Sequence, residues 1–266
     1  IRRPPRSTPS NSSAASDVYK RQGFNRVFVG IETPNEASLA ECGKFNNENR
    51  DMVAAVKKIQ AFGMEVQGGF IVGFDSDPLS IFRSQIEFIQ KSGIVTAMVG
   101  LLNAPRGTRL YQRLRRENRL LQDTTGDNTD CSMNFIPKMN YDTLITGYKH
   151  VLHSIYAPKQ YYERILTFLK EYHPRHLPRA NALHWYHVKG FFRSMWALGI
   201  AERGRRYFWR MALATLFRRP KLLPMSILLA VYGLHFRRVA HRLGEPPPPS
   251  WLEQLLQPAE VVERSG

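Results

Sequence analysis

The sequence predicts an α/β fold of parallel strands followed by a mostly helical region. Three short apolar runs, at residues 26–31, 64–74 and 94–102, are each followed by a segment with the 3.6-residue period of a helix. Consecutive strand–helix units of this kind place their strands in parallel, with right-handed crossovers. The chain has 266 residues, of which 43% are hydrophobic, so it is long enough to bury a sizeable core.

The first unit begins with β-branched and aromatic residues at 26–31, which are apolar enough for a strand buried on both faces. A helix is predicted next, with Asn47 or Asn49 as its N-cap and Gly63 directly after its end. The apolar positions of this helix recur with the helical period: Met52, Val53, Val56, Ile59 and Phe62.

The second and third units repeat this arrangement. The second strand, at 64–74, ends at a turn of residues 75–78, and the helix after it stops near Gly93. The third strand occupies 94–102, and after a loop a third helix is predicted over residues 108–121.

Polar residues follow all three predicted strands, at the edge where parallel α/β folds bind their ligands. These residues are Glu32 and Thr33, then Asp75, Ser76 and Asp77, then Asn103. An alternative role for the aspartates is capping of the next helix, and for Asn103 the shaping of a turn. Glu32 is the strongest candidate, because a carboxylate directly after a buried strand needs a partner.

The C-terminal part carries most of the net charge of +16. Residues 151–266 hold eighteen Lys and Arg against seven Asp and Glu, whereas residues 23–150 hold fifteen against fourteen. Such a local surplus is typical of a surface that meets an anionic membrane or nucleic acid, and the alternative is a solvated basic face. From residue 181 on, aromatic and basic residues interleave.

Helices are predicted at 139–149 and 158–172 from their apolar stripes. Residues 222–234 are mostly apolar and have arginine and lysine on both sides. Thirteen helical residues rise roughly 20 Å, less than the roughly 30 Å of a bilayer core, so no transmembrane span is predicted. A helix at a membrane interface and a buried helix of a bundle both fit this segment.

The two ends of the chain have the composition of non-globular segments. Residues 1–22 contain three prolines and a Ser/Ala tract and resemble translated adapter sequence, which predicts a natural chain cut upstream of about Gly23; a disordered tail is the alternative. Residues 245–266 begin with a run of prolines and predict a semi-rigid linker and tail.

No motif for nucleotide phosphates, a nucleophilic serine or a zinc protease is present, and no catalytic residue is assigned. Three H-x-x-H pairs start at His150, His173 and His184, without a nearby cysteine or carboxylate cluster, so core or surface histidines are favoured over metal ligands. The two cysteines, Cys42 and Cys131, are too few for an iron–sulfur cluster.

Three motifs in order resemble the second half of a radical S-adenosylmethionine core. They are VFVGIETPNEASL at 27–39, QGGFIVGFDSD at 67–77 and MVGLLNAPRGTRLY at 98–111. The resemblance is closest to cobalamin-binding members that carry an uncharacterised helical C-terminal domain, a broad group that includes hopanoid methylases. It implies the C-terminal half of a partial (β/α) barrel at 23–122 and the helical domain at 123–244.

The same resemblance implies which residues contact S-adenosylmethionine. Glu32, with Thr33 beside it, takes the place of a polar residue that contacts the ribose or amino-acid part of the cofactor. A G-x-I-x-G pattern, whose backbone packs on adenine, is matched by Gly69, Ile71 and Gly73. Main chain near Leu102 and Asn103 would also touch adenine. The alternative for the glycines is that they only permit tight strand packing.

In this family a [4Fe–4S] cluster, held by a C-x-x-x-C-x-x-C motif earlier in the barrel, reduces the bound cofactor to a deoxyadenosyl radical. The sequence lacks that motif. The resemblance therefore implies a truncated enzyme that is inactive alone. Its parent would use the cluster, with cobalamin in some members, for radical chemistry such as methylation of a lipid-like or other unactivated substrate.

The expected location is the cytoplasm, at the periphery of the inner membrane, where the basic domain would contact anionic lipid. Two other readings of the chain remain open at this point. One is a nucleic-acid-binding or RNA-modifying module, and the other is a non-catalytic α/β scaffold.

Overall fold

The computed structural model describes residues 24–47, 49–121, 132–174 and 185–244. The predicted leader at 1–22, the tail at 245–266, Cys131, His176 and His184 lie outside these residues. Within them, three parallel strands form one sheet in the order β1 (Arg26–Glu32), β2 (Glu65–Val72) and β3 (Ala97–Leu101). This arrangement confirms the predicted α/β fold.

Four helices accompany the sheet. They are α1 (Glu36–Glu41), α2 (Met52–Ala61), α3 (Ile81–Ser92) and α4 (Arg109–Arg116). Gly63 and Gly93 follow α2 and α3 with left-handed φ values of 81° and 71°, which confirms both predicted helix ends.

Three details of the prediction in this region are wrong. Helix α1 was not predicted, because six residues are too few to show a period. The N-cap of α2 is Asp51, whose carboxylate accepts the Ala54 N–H at 2.9 Å, and not Asn47 or Asn49. Helix α4 ends at Arg116 instead of residue 121, because Asn118 turns the chain with a φ of 55° and Leu120 pairs with Phe135.

The second half of the described chain is a helical bundle. Its helices are α5 (Tyr141–Tyr156), α6 (Pro158–Glu171), α7 (Trp185–Trp196), α8 (Arg205–Arg218) and α9 (Leu223–Arg242). A π-helical turn, Ala197–Ala201, continues α7. Helix α9 is longer than the thirteen apolar residues predicted, and in its added part buried Arg237 donates to the Tyr156 carbonyl and to Glu202.

Among the described residues, one helical stretch, Pro220–Arg242, is long and apolar enough to cross a membrane by length and composition, with a mean hydropathy of 1.2. In the structure this stretch packs as a member of the bundle. Leu229 and Ala230 are fully buried, and Tyr161 of α6 lies directly against Gly233.

The sheet and the bundle share one hydrophobic core. Gly147 of α5 lies so close to Phe82 of α3 that a Cβ there would be 2.3 Å from the ring. The Tyr156 hydroxyl donates to the Ala97 carbonyl of β3 at 2.7 Å, and buried Arg164 donates to Gln90 of α3 at 2.7 Å. The helical region therefore packs against α3 and along the β3 edge of the sheet.

Candidate functional site

Over the described residues, the face of the sheet that points away from α2 and α3 is partly open. The prediction that the strands are buried on both faces is therefore wrong for this face. Strand alternation places Phe28, Gly69 and Met98 on it, and Phe28 and Met98 are 59% and 53% exposed. Large exposed apolar side chains on a sheet face indicate a binding surface for a ligand or for another part of a protein.

Glycines occupy the middle of the open face of the sheet. Gly30 of β1 pairs in register with Gly69 of β2, and Gly100 of β3 pairs with Ile71. A Cβ at Gly100 would meet no atom within 4 Å, whereas a Cβ at Gly30 or Gly69 would be within 3 Å of a neighbouring side chain. Gly100 therefore exposes main chain that a flat ligand can approach closely, whereas the Glu32 and Lys44 side chains lie over Gly30 and the Phe28 ring lies over Gly69.

A cavity of about 460 Å³ adjoins this glycine-lined floor. Its far wall comes from the bundle and is almost entirely apolar. The wall residues are Tyr148, Leu152 and Tyr156 of α5 together with Phe236, Val239, Ala240 and Leu243 at the end of α9. The volume is in the range of small-molecule and cofactor sites, and Glu32 is the one charged residue among the described residues of the lining.

Glu32 enters the cavity through an unusual backbone conformation. Its φ is 66°, and the β1–β2 register shifts between Gly30 and Glu32. A left-handed conformation costs free energy for a residue other than glycine, and such strain clusters at functional sites. The carboxylate forms an ion pair with Lys44 at 3.0 Å, and Lys44 also donates to the Gly30 carbonyl at 3.4 Å. The expected partner of Glu32 is therefore Lys44, which sequence reasoning missed.

Five of the seven predicted cofactor residues line the cavity: Glu32, Gly69, Ile71, Leu102 and Asn103. Thr33 does not, because its side chain is buried and its hydroxyl accepts the Asn35 N–H at 3.2 Å. Gly73 does not either, since a Cβ there would face Leu144 and Met133 of the helical region. Contact of these residues with a ligand stays a prediction.

The aspartates after β2 form hydrogen bonds that hold the loops at the C-terminal ends of the strands. Asp77 accepts hydrogen bonds from the Gly73 and Phe74 N–H groups at 2.8 and 3.0 Å and from the Ser38 hydroxyl at 2.6 Å, and burial raises its pKa. Asp75 accepts two hydrogen bonds from Arg119, at 2.7 and 2.8 Å, and one from Arg113 at 3.1 Å. The alternative of capping the next helix is wrong, because the N-cap of α3 is Ser80 and neither aspartate bonds to that helix in the described part of the chain; both instead hold the loops at this edge.

We expect Asp75→Asn to destabilise the chain by about 2 kcal/mol at pH 7, because it removes charge-assisted hydrogen bonds. The hydrogen bonds from Arg119 hold the pKa of Asp75 below its usual value. The stability from Asp75 is therefore complete above the unfolded pKa of about 3.9 and is lost as the pH falls through the folded pKa. Urea unfolding at pH 7 and pH 3 measures this.

The matched control is Glu87→Gln, which removes an exposed carboxylate paired with Arg83 and Lys91 on α3. It should change stability by less than about 0.5 kcal/mol. A difference between Asp75→Asn and the native chain that stays constant from pH 7 to pH 3 would contradict the assignment.

The described residues contain no group of three or more His, Cys, Asp or Glu that could hold a metal ion. His150 lies 3.3 Å from the Ser154 hydroxyl, and His153 lies 3.2 Å from the Gly244 carbonyl. Cys42 is an exposed free thiol. The described residues that line the cavity include no cysteine or histidine, so they do not fit an iron–sulfur cluster.

The chain is similar in sequence to a known domain family and to several curated proteins. The model of a domain of unknown function, DUF4070, matches residues 108–245, slightly more than half of the chain, and this match includes the apolar wall of the cavity.

Three curated relatives are named as enzymes that transfer a methyl group. An uncharacterized methyltransferase of Synechocystis sp. is 32% identical over 228 residues, which is 84% of this chain and 42% of the relative. The hopanoid C-2 methylase of Rhodopseudomonas palustris is 30% identical over 208 residues, 76% of this chain and 38% of the relative. The bacteriochlorophyllide d C-12(1)-methyltransferase of Chlorobaculum tepidum is 27% identical over 100 residues, 38% of this chain and 22% of the relative. The chain thus spans about two fifths of the length of the first two.

Proposed function

We propose that this chain, which belongs to the cobalamin-binding radical S-adenosylmethionine proteins with a DUF4070 domain, forms the cofactor-facing strands and the substrate wall of a methyltransferase. One observation carries the proposal. The glycine-lined face of the sheet and the apolar wall of the DUF4070 helices enclose the same cavity of about 460 Å³.

The strands supply the binding surface for S-adenosylmethionine in this proposal. Gly100 leaves its main chain bare, so that a flat adenine ring can lie against it, and the exposed Phe28 ring over Gly69 adds an apolar surface beside it. Glu32 supplies a carboxylate at the C-terminal end of β1, held at 3.0 Å from Lys44. That carboxylate can accept hydrogen bonds from ribose hydroxyls or from the amino group of the cofactor.

The helical domain supplies the surface for the methyl acceptor. Its contribution to the cavity consists of leucine, valine, alanine, phenylalanine and tyrosine side chains. Burial of apolar area is the main source of binding free energy for such a wall, so an apolar substrate is proposed. Two relatives are named for methylation of a hopanoid and of bacteriochlorophyllide d.

A [4Fe–4S] cluster, when bound, supplies the electron that cleaves S-adenosylmethionine. The two cysteines of this chain do not provide its three thiolate ligands. In this proposal the cluster and cobalamin are held by other parts of the parent protein, and the chain by itself binds ligand without turnover. Its own residues orient the cofactor and exclude water from the cavity.

The test is a titration of the chain with S-adenosylmethionine by isothermal calorimetry. We expect binding that Glu32→Gln weakens about ten-fold, since a hydrogen bond to a charged group is worth about 1.5 kcal/mol or more. Glu36→Gln, an exposed carboxylate on α1, is the matched control and should bind like the native chain. Absence of binding by the native chain, or equal affinity of Glu32→Gln, would refute the proposed role of the strands.

A further inference from the structure

The surface formed by α7, its π-helical turn and α8 is apolar to an unusual degree. Its exposed apolar side chains include Phe217, which is 81% exposed, and Phe192, Trp196 and Ile200, which are 65%, 61% and 58% exposed. Trp209, Leu213 and Leu216 are each at least 40% exposed. We call these seven residues the aromatic surface. A single exposed leucine needs no explanation, but a cluster of this size does.

The helical periods bring the seven residues into two stripes that meet. On α8, Trp209, Leu213 and Leu216 are spaced i, i+4 and i+7, and Phe217 adjoins them. On α7 and the turn, Phe192, Trp196 and Ile200 are spaced four residues apart. The indole N–H of Trp209 donates to the Gly199 carbonyl at 2.9 Å. This hydrogen bond links the start of the α8 stripe to the end of the stripe on α7 and its π-helical turn.

The residues around the aromatic surface are basic and almost free of carboxylates over the described part of the chain. Residues 203–244 hold ten Lys and Arg and no Asp or Glu. Over the described residues from 185 on, the one carboxylate, Glu202, is hydrogen-bonded to buried Arg237 at 2.6 Å. Arg206 and Arg210 lie one turn apart on the exposed side of α8, next to Leu213.

A basic cleft runs beside the aromatic surface, between α6 and α8. It has a volume of about 200 Å³ and is lined by leucine, alanine and threonine side chains, by Arg219, which donates to the Leu169 carbonyl, and by three further cations, Lys170, Arg210 and Arg218. Within the described part of the chain, these three cationic groups form no ion pair with a carboxylate. A phosphate group is small enough for this cleft and carries the complementary charge.

We propose that this surface docks the protein on an anionic phospholipid bilayer, independently of the proposed catalytic role. The phenylalanine, tryptophan and leucine side chains enter the boundary between headgroups and acyl chains, and the arginines bind lipid phosphates. A second copy of the same surface is disfavoured as the partner, because two arginine-rich faces repel each other. A nucleic acid would satisfy the arginines but leave Leu216 and Phe217 in water.

The test is co-sedimentation of the full chain with vesicles of phosphatidylcholine and phosphatidylglycerol at 3:1, compared with phosphatidylcholine alone. We expect binding to the anionic vesicles at low salt, at least about ten-fold weaker binding to the neutral ones, and a loss of binding at high salt. Brominated lipids should quench the fluorescence of Trp196 and Trp209 in the bound state.

Two double variants separate the two components of the surface. Leu213→Ser with Phe217→Ser should abolish insertion and quenching. Arg206→Gln with Arg210→Gln should weaken binding about twenty-five-fold at low salt, since each cation near the surface contributes about five-fold. Matched controls elsewhere are Ile136→Ser, half exposed, and Arg115→Gln with Arg116→Gln on α4, and all of them should bind like the native chain.

Three outcomes would overturn the proposal. They are equal binding to neutral and anionic vesicles, variants of the aromatic surface that bind like the native chain, and a dimer in solution that Leu213→Ser with Phe217→Ser dissociates. The readout is separate from S-adenosylmethionine binding, so that failure of either proposal leaves the other standing.

Discussion

Gly100→Val is expected to weaken binding of S-adenosylmethionine strongly while leaving the fold intact. A Cβ at Gly100 meets no atom within 4 Å, and β-branched residues favour strands, so the free energy of unfolding should stay equal or rise by about 0.5 kcal/mol. The same side chain stands on the floor of the cavity, where the cofactor is proposed to lie. It should therefore weaken binding by at least about ten-fold, measured by calorimetry alongside thermal unfolding.

The combination of an unchanged melting temperature and lost binding distinguishes occlusion of the site from a damaged fold. Gly100→Ala should give an intermediate affinity, because it fills less of the floor. Gly190→Ala, at an exposed position on α7 with no atom within 4 Å, is the control and should bind like the native chain. If Gly100→Val binds the cofactor normally, the ligand lies elsewhere and the glycine-lined floor has a packing role.

The sheet was predictable because its signals are local. The apolar runs, the helical periods between them and the glycines after α2 and α3 lie within short stretches of sequence, and the structure reproduces them. The open face was not predictable, because an apolar run looks the same whether one or both of its faces are covered. Phe28 and Met98 became informative only once the register placed them beside Gly30, Gly69 and Gly100.

The residues of the candidate site were likewise predictable only where their signal is local in the sequence. Glu32 could be singled out because a carboxylate after an apolar strand is locally anomalous. Lys44 could not be paired with it, since the contact depends on the left-handed turn of Glu32 and on the path of the chain after α1. The wall from α5 and α9 lies more than a hundred residues from β1, and its residues look like ordinary bundle positions.

Gly233→Ala is expected to destabilise the helical domain strongly, although it adds a single methyl group. A Cβ there would lie 2.1 Å from the ring of Tyr161, which is fully buried and donates its hydroxyl to the Leu229 carbonyl at 2.7 Å. The ring cannot retreat without losing that hydrogen bond. Overpacking of this kind costs about 1–3 kcal/mol or more, which outweighs the gain of about 1 kcal/mol in helix propensity.

The consequence should extend to the cavity, because Phe236, Val239 and Ala240 lie on the same helix one to two turns further on. Displacement of α9 moves the apolar wall away from the sheet, so Gly233→Ala should lower affinity for an apolar ligand as well as the free energy of unfolding in urea. Tyr161→Leu makes room for the added methyl, so the double variant should be more stable than the sum of the single changes implies, by about 1 kcal/mol or more. Additive effects would mean that Gly233 and Tyr161 do not form the close contact on which the wall depends.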